Sequence, residues 1–208
     1  MSEANMMIKR PVDRRILRTK LAIRDALVFL LGQKGFDAIL VSDIAQRANI
    51  NRGTFYLHYQ DKFDLLEKTQ TEIAADFERI ILQANSLNLA GFNKVDNPVP
   101  VLVSLFEYLQ ENAALMHAMF TLEGGTCFQT RVKKVVEKNV KLEALIGLKE
   151  KNFLVPSHYL ISYALSAHFG VIQDWLERGC RESPREMAII LSKISWYGVV
   201  RSTGFVQT

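Results

Sequence analysis

The strongest constraint on the fold lies in residues 41–62, VSDIAQRANINRGTFYLHYQDK, where two short helical patterns stand only a few residues apart. The first pattern has apolar residues along one helical edge, at Ile44, Ala45 and Ala48. Asn49 tolerates the left-handed conformation that often follows a helix, and Asn51 is a good N-cap for the next one. The segment therefore predicts two helices joined by a tight turn.

The second of these helices is predicted over residues 52–59 and has two different faces. Phe55 and Tyr59 are four residues apart, so they can share the inner face. Two helices with this connection form the unit that places its second helix in the major groove of DNA. The pattern therefore favours a DNA-binding protein over an enzyme.

The other side of this helix is expected to point towards the groove or its walls, with Arg52, Tyr56 and, roughly, Leu57 and His58. The remaining polar residues of the segment suit contact with DNA. Arg52 could reach guanine edges, and the hydroxyls of Thr54 and Tyr56 suit phosphates or bases. Gly53 lacks a side chain, so its backbone can approach a phosphate closely. Two further groups, His58 and Lys62, could add charge beside the phosphates.

The positive charge of the chain is concentrated near this segment. Residues 1–70 contain 12 Lys and Arg against 8 Asp and Glu, whereas residues 71–208 contain 14 of each. All of the net charge of +4 therefore lies in the first third of the chain. This asymmetry fits neutralisation of phosphates, and it fits a solvated basic tail equally well.

The rest of the chain predicts helices and no convincing strand. Five prolines and scattered glycines separate long windows with helical spacing, and residues 86–100 read as a loop. We expect an all-α protein of about nine helices, with an N-terminal three-helix domain at 1–70 and a C-terminal helical bundle at 71–208. The remaining predicted helices cover residues 13–34, 61–85, 101–112, 113–121, 127–150, 157–178 and 184–203.

Apolar spacing and end signals support these helices. The first has apolar residues near helical spacing at Ile16, Leu17, Leu21, Ile23, Leu27, Leu30 and Leu31. The helix at 61–85 has a broad apolar face of Phe63, Leu66, Ile73, Phe77, Ile80 and Ile81, and Asp61 can serve as its N-cap. Gly124-Gly125 is expected to break the chain between helices, and Ser183 with Glu186 predicts a capping box at the start of the last helix.

Several other classes of protein find no support in the sequence. Two cysteines, Cys127 and Cys180, share no metal-ligand or redox spacing, and a reducing compartment is the simpler inference. No apolar run approaches the length of a signal peptide core or a membrane helix, so we expect a cytoplasmic protein. No phosphate-binding glycine loop, HExxH motif or hydrolase motif is present. We expect no catalytic residue, metal or cofactor.

The helix–turn–helix segment at 41–62, together with residues that precede it, resembles the signature of the TetR family of bacterial transcription regulators. The matching positions are Arg18-Thr19-Lys20, Gly35-Phe36, Val41, Asp43-Ile44-Ala45, Gly53-Thr54-Phe55-Tyr56, His58-Tyr59 and Lys62. The resemblance covers about residues 13–70. Together with the polar residues already named in the segment, the resemblance implies DNA contacts at Arg18, Thr19, Ser42, Asn51, Arg52, Gly53, Thr54, Tyr56, His58, Tyr59 and Lys62.

Three positions depart from that signature. Asn49 and Asn51 stand where family members usually carry Gly and Ser, and both substitutions suit a turn and an N-cap. Leu40 stands where Thr or Ser is common, and a leucine side chain cannot cap a helix. The first short helix is therefore expected to begin weakly or to rely on Ser42.

A weaker resemblance continues over residues 101–205, to the C-terminal domain of TetR-type regulators from Firmicutes. It rests on Leu105-Phe106-Glu107-Tyr108, on Glu111-Asn112 and on Trp175–Gly179 leading into Ser183–Met187. This resemblance implies a homodimer formed by the last two long helices, 157–178 and 184–203. Such a dimer presents two reading helices to a palindromic operator about one turn of DNA apart.

The same resemblance implies an effector cavity inside the bundle. Candidate lining residues are Phe77, Phe106, Met116, Met119, Phe120, Phe128, Tyr159, Tyr163 and His168. Aromatic residues and methionines at helical spacing also build ordinary cores. The leading hypothesis is a repressor whose DNA affinity changes when a small molecule binds the bundle. An activator whose bundle docks a co-regulator protein and a helical interaction protein without DNA binding are the alternatives.

Overall fold

The structure, a computed structural model, describes residues 14–85, 98, 100–122, 126–140 and 149–202. Within these residues there are nine α-helices and no strand. The prediction of an all-α fold is therefore confirmed. The chain divides into two compact units, Met1–Leu66 and Glu67–Thr208, called here the first and second units.

The first unit contains α1 (Arg14–Leu31), a 3₁₀ turn (Phe36–Ala38), α2 (Val41–Arg47), α3 (Arg52–Tyr56) and the start of α4 (Lys62–Asn85). Its core is built by the inner faces of all four helices, with Ile23, Ala26, Leu27, Leu30, Ile39, Ile44, Phe55, Tyr59 and Leu65 buried together. This shared core fixes α3 against α1 and α2, so the outer face of α3 is held on a rigid support.

Helix α1 ends before its predicted boundary and leaves apolar residues of its first turns exposed. It ends at Leu31 and not at residue 34, because the amides of Gly32 to Lys34 bond back to Val28 and Leu30 in a closing turn. Three apolar residues expected to pack, Ile16, Leu17 and Leu21, are exposed. They precede the part of α1 that packs in the core of the first unit, which begins at Ile23.

Helix α4 begins where the sequence predicts. The Asp61 carboxylate accepts hydrogen bonds from the backbone amides of Phe63 and Asp64 at 2.9 and 2.8 Å, which caps the helix. The predicted apolar face was wrong at its first position, because Phe63 is largely exposed and Leu65 is buried instead. Phe63 packs edge-on against Phe36 with ring centres 5.3 Å apart.

The second unit contains the rest of α4 and five further helices. These are α5 (Pro100–Glu111), α6 (Ala113–Thr121), α7 (Thr126–Asn139), α8 (Ser157–Glu177) and α9 (Pro184–Ser202). Helix α7 ends at Asn139, before the predicted 150, and a 3₁₀ turn follows at Glu150–Asn152. Helix α9 is interrupted at Gly198, whose φ of 66° lies in the left-handed region. The predicted loop at 86–100 and the Gly124-Gly125 break lie almost wholly outside the described residues.

The core of the second unit is aromatic. Phe106 and Trp175 are fully buried and meet edge to face, with ring centres 5.2 Å apart. The indole of Trp175 donates a hydrogen bond to the Glu182 carbonyl at 3.1 Å, which ties α8 to the loop before α9. Ser183 and Glu186 then form the predicted capping box of α9, with the Ser183 amide donating to the Glu186 carboxylate at 2.8 Å.

Candidate nucleic-acid interface

The connection between α2 and α3 is a four-residue turn with one left-handed residue. Asn49 has a φ of 54°, the conformation expected of a residue that follows a helix end. The amide of Ile50 then donates to the carbonyl of Ala45 at 3.0 Å, which closes the turn. The predicted helix–turn–helix is present, with a second helix shorter than expected, because α3 ends at Tyr56 and not at residue 59.

Helix α3 has a well-formed N-cap. The Asn51 side-chain oxygen accepts hydrogen bonds from the Thr54 amide at 2.7 Å and from the Thr54 hydroxyl at 3.1 Å. A Cβ added at Gly53 would lie 3.2 Å from this same oxygen. A methyl group at this position would therefore crowd the cap, which gives a local reason for glycine independent of any approach to phosphate.

The two faces of α3 are clearly separated by burial. Phe55 is fully buried and Tyr59 is 5% exposed, with their rings 5.7 Å apart. Tyr59 was among the expected DNA contacts, but the structure places its side chain in the core and not on the exposed face of α3. Leu57, which the sequence places roughly on the side of the groove but not among the DNA contacts, is 82% exposed on the outer face. The outer face comprises Arg52, Gly53, Tyr56 and Leu57, with Thr54 and His58 half-buried at its margins.

The start of α2 depends on Asp43 and not on Ser42. The Asp43 carboxylate accepts hydrogen bonds from the Leu40 amide at 3.0 Å and from the Lys34 ammonium at 2.6 Å. The Lys34 hydrogen bond and the Leu40 amide hold the pKa of Asp43 below its usual value. The expectation that Ser42 compensates for Leu40 was therefore wrong. The carboxylate of Asp43, three residues after Leu40, accepts the hydrogen bond of the Leu40 amide and so caps the helix.

Lys62 has partners inside the first unit. Its ammonium donates hydrogen bonds to the backbone carbonyls of Phe36 and Asp37, both at 2.9 Å. It also lies near the rings of Phe36 and Phe63, at 4.9 and 5.3 Å from their centres. The sequence predicted a phosphate contact at Lys62, whereas the structure uses its charge to join the 3₁₀ turn to the start of α4.

The other two candidate contacts lie on α1. Arg18 is exposed and Thr19 is half-buried. The Thr19 hydroxyl donates to the Arg15 carbonyl of its own helix at 2.9 Å. Both residues stand in the first two turns of α1, the most basic helix end in the first unit.

The second unit contains a small apolar cavity among its helices. Its volume is about 70 Å³, and it is lined by side chains from α4 to α9. Three of the predicted effector contacts, Phe77, Phe120 and His168, line it. Four others are buried in the surrounding core, namely Phe106, Met116, Met119 and Phe128. Tyr159 and Tyr163 are 63% and 68% exposed and do not reach it.

His168 is the polar group of this cavity. Its Nε2 atom lies 3.0 Å from the hydroxyl oxygen of Ser195, and that hydroxyl donates to the Leu191 carbonyl at 2.7 Å. The ring nitrogen is therefore the donor in the first bond. Burial lowers the pKa of His168, so the ring is neutral at pH 7. Within the described residues no three His, Cys, Asp or Glu side chains are grouped to hold a metal ion.

Two family models match the chain over the two units. Residues 23–69 match the model for bacterial regulatory proteins of the tetR family, and residues 96–195 match a transcriptional regulator C-terminal region. The first match contains α2, the turn, α3 and the start of α4. The chain belongs to the TetR family of transcriptional regulators.

Curated TetR-type relatives match in part. An uncharacterised HTH-type transcriptional regulator, YxbF from Bacillus subtilis (strain 168), is 31% identical over 97 residues, which are 46% of this chain and 26% of that protein. The HTH-type transcriptional repressor KstR from Rhodococcus jostii (strain RHA1) is 29% identical over 97 residues, 47% of this chain and 43% of that protein. The chain thus aligns with less than half the length of either relative.

A solved structure matches the whole TetR fold. The fatty acid degradation regulator FadR from Bacillus halodurans superposes with a TM-score of 0.65 over 87% of this chain and 96% of that one, at 22% identity. At this identity the likeness concerns the fold alone. None of the described helices of the present TetR-family protein has the length and apolarity to cross a membrane.

The TetR signature residues serve mainly to build the support of α3. Ile44 and Ala45 bury the edge of α2, Phe55 fills the core, and Asp43 closes the first cap. Two residues of the signature, Gly53 and Tyr56, lie exposed on the outer face. The signature therefore largely specifies how α3 is presented, and Arg52 and Leu57, which lie outside the signature, share the outer face with Gly53 and Tyr56.

Proposed function

We propose that this protein is a homodimeric repressor that binds a palindromic operator through α3 of each copy. In this proposal residues 1–70 form the DNA-binding domain and residues 71–208 the effector-binding and dimerisation domain. One observation carries the proposal: the capped helix α3 is anchored from beneath by Phe55 and leaves Arg52 and Tyr56 exposed on its outer face. A helix presented in this way can enter the major groove with its polar side chains free.

The proposed DNA contacts follow from exposure. Arg52 offers a guanidinium for guanine edges or phosphate, and Tyr56 offers a hydroxyl. Thr54 and His58 stand at the margins of the same face, and Ser42, Asn51 and Gly53 lie at the helix starts. Arg18 and Thr19 would add contacts from α1. Tyr59 and Lys62 are left out, because the core and the 3₁₀ turn already engage them.

Support for a dimer comes from exposed aromatic residues on the last two helices. Tyr159 and Tyr163 stand one turn apart on α8, and Trp196 and Tyr197 are about half exposed on α9. Large aromatic side chains of this kind are enriched in protein interfaces. Packing of α8 and α9 against a second copy would cover them and place two α3 helices on one duplex.

Support for effector control comes from the cavity in the second unit. At about 70 Å³ it is well below the roughly 300–1,000 Å³ of a ligand pocket. An effector larger than the cavity can bind only when the helices around it move apart. It would then stabilise that separated state and draw the protein away from the DNA-bound one. The lining, apolar apart from His168, favours an apolar effector.

Operator binding is tested with duplexes recovered by selection from random sequences. We expect the affinity to fall steeply between roughly 50 and 200 mM salt, because phosphate contacts release counterions. Tyr56→Ala and Arg52→Ala should each weaken binding at least tenfold and leave the fold and dimer intact. Arg181→Ala, which removes an exposed arginine of the second unit, is the matched control and should bind like the unaltered protein. Binding that survives both changes in α3 would contradict the proposed docking.

Effector control is tested with n-alkanols and n-alkanoic acids of increasing chain length. We expect the longer members to weaken operator binding. Leu105→Phe, which fills the cavity from α5, should abolish this response and retain operator binding. A response that persists in the filled variant would place the effector elsewhere.

A further inference from the structure

Leu57 is a large apolar side chain left in water at the end of α3. It is 82% exposed, so it forgoes nearly all of the free energy that burial of a leucine provides. Single exposed apolar residues are common on protein surfaces, and exposure alone carries no inference. The position of Leu57 on the outer face of α3 is what distinguishes it.

The backbone of Leu57 is held in a defined place. Its φ and ψ of −69° and −21° continue the helix by one residue, and its amide donates to the Gly53 carbonyl at 3.2 Å. Phe55 and Tyr59, two residues before and after it, are both buried. The two buried rings therefore hold the backbone of Leu57 in place, which is required of a residue that contributes to specific binding.

The neighbours of Leu57 leave room for a duplex. Gly53 stands one helical turn before Leu57 and has no side chain, so no side chain projects from α3 at that position. Arg52 and Tyr56 are exposed next to these two residues and supply the polar contacts of the same surface. The outer face thus combines one cation, one hydroxyl and one aliphatic group.

The aliphatic group has one partner in the major groove. Base edges there present hydrogen-bond donors and acceptors, and the apolar group among them is the C5 methyl of thymine. We propose that Leu57 determines specificity by packing on a thymine methyl in each half of the operator. This assignment rests on the proposed DNA binding and adds a base to it.

The test replaces thymine by deoxyuridine, which removes the methyl and keeps every hydrogen-bonding group. Each thymine of the selected operator is replaced in turn, together with its symmetry mate in the other half-site. We expect one pair of positions to weaken binding of the unaltered protein. The loss should be about fourfold for each methyl and about 15-fold for both, from the usual gain on burying one such group.

Leu57→Ala completes the cycle. The variant should bind the thymine operator about as weakly as the unaltered protein binds the deoxyuridine one, and the replacement should then cost it less than twofold. Leu154→Ala is the matched control, because Leu154 is fully exposed in the second unit. It should retain the full sensitivity to deoxyuridine.

The outcomes separate the two proposals. If the unaltered protein selects no duplex at all, the DNA-binding function itself is wrong. If it binds an operator but no thymine pair is sensitive to the replacement, or if Leu57→Ala keeps the sensitivity, the assignment of Leu57 is overturned and DNA binding stands. Because the thymine scan uses the unaltered protein, an operator without a sensitive thymine pair overturns the assignment even if Leu57→Ala folds poorly.

Discussion

Replacement of Asn51 by Ala tests how α3 is held in place. The side-chain oxygen of Asn51 accepts from the Thr54 amide at 2.7 Å, and Ala leaves that amide to water. Loss of such an N-cap costs about 1 kcal/mol, and α3 has only five residues to absorb the change. We therefore expect amides of residues 52–59 to exchange with solvent about fivefold faster.

Hydrogen exchange read by mass spectrometry is the suitable assay. Both tryptophans of the chain, Trp175 and Trp196, lie in the second unit, so their fluorescence does not report on α3. Peptides from α6 should exchange at an unchanged rate and serve as the internal control. Asn51→Ser should restore protection, because a serine hydroxyl can accept the same hydrogen bond. Unchanged exchange in Asn51→Ala, or equal loss in both variants, would refute the cap as the element that holds α3.

Gly53 gives an independent check of the same geometry. Alanine favours a helix over glycine by about 1 kcal/mol, but its methyl would crowd the Asn51 oxygen at 3.2 Å. We expect Gly53→Ala to change exchange little in the unaltered chain. In the Asn51→Ala background the obstruction is gone, and the same change should slow exchange about fivefold. Identical effects in the two backgrounds would contradict the crowding.

Three further changes test separate contacts. Lys62→Gln should destabilise the first unit by about 1–2 kcal/mol, because the carbonyls of Phe36 and Asp37 lose their bonds to a cation. Hydrogen exchange measures this loss. A weaker dependence of DNA affinity on salt in the variant would instead assign Lys62 to a phosphate contact. Asp43→Asn should destabilise the same unit at pH 7. Since the folded pKa of Asp43 is lowered, its contribution is lost as pH falls, and exchange of both proteins should converge below about pH 4. Phe106→Ala should destabilise the second unit by about 3–5 kcal/mol in denaturation followed by tryptophan fluorescence; a loss below about 1 kcal/mol would contradict its place in the core.

The amino-acid sequence by itself determined the helices and most of their ends. Asn51, Asp61 and Ser183 cap helices through amides two or three residues ahead, so the whole contact lies within one short stretch of chain. Asn49 likewise takes its left-handed conformation from local geometry. Interactions of this range can be read from spacing and residue type, which is why the helix–turn–helix and the all-α fold were predicted correctly.

Tertiary structure decided which side chains are left exposed and which find distant partners. The Lys62 ammonium bonds carbonyls 25 and 26 residues earlier, and Leu65 takes the buried position expected for Phe63. Helical spacing places residues on a common face, but a face becomes core only where another helix meets it. The sequence placed Leu57 only roughly on the side of the groove. Its large exposure follows from the tertiary structure, because α3 stops at Tyr56 and the core of the first unit covers the side that bears Phe55.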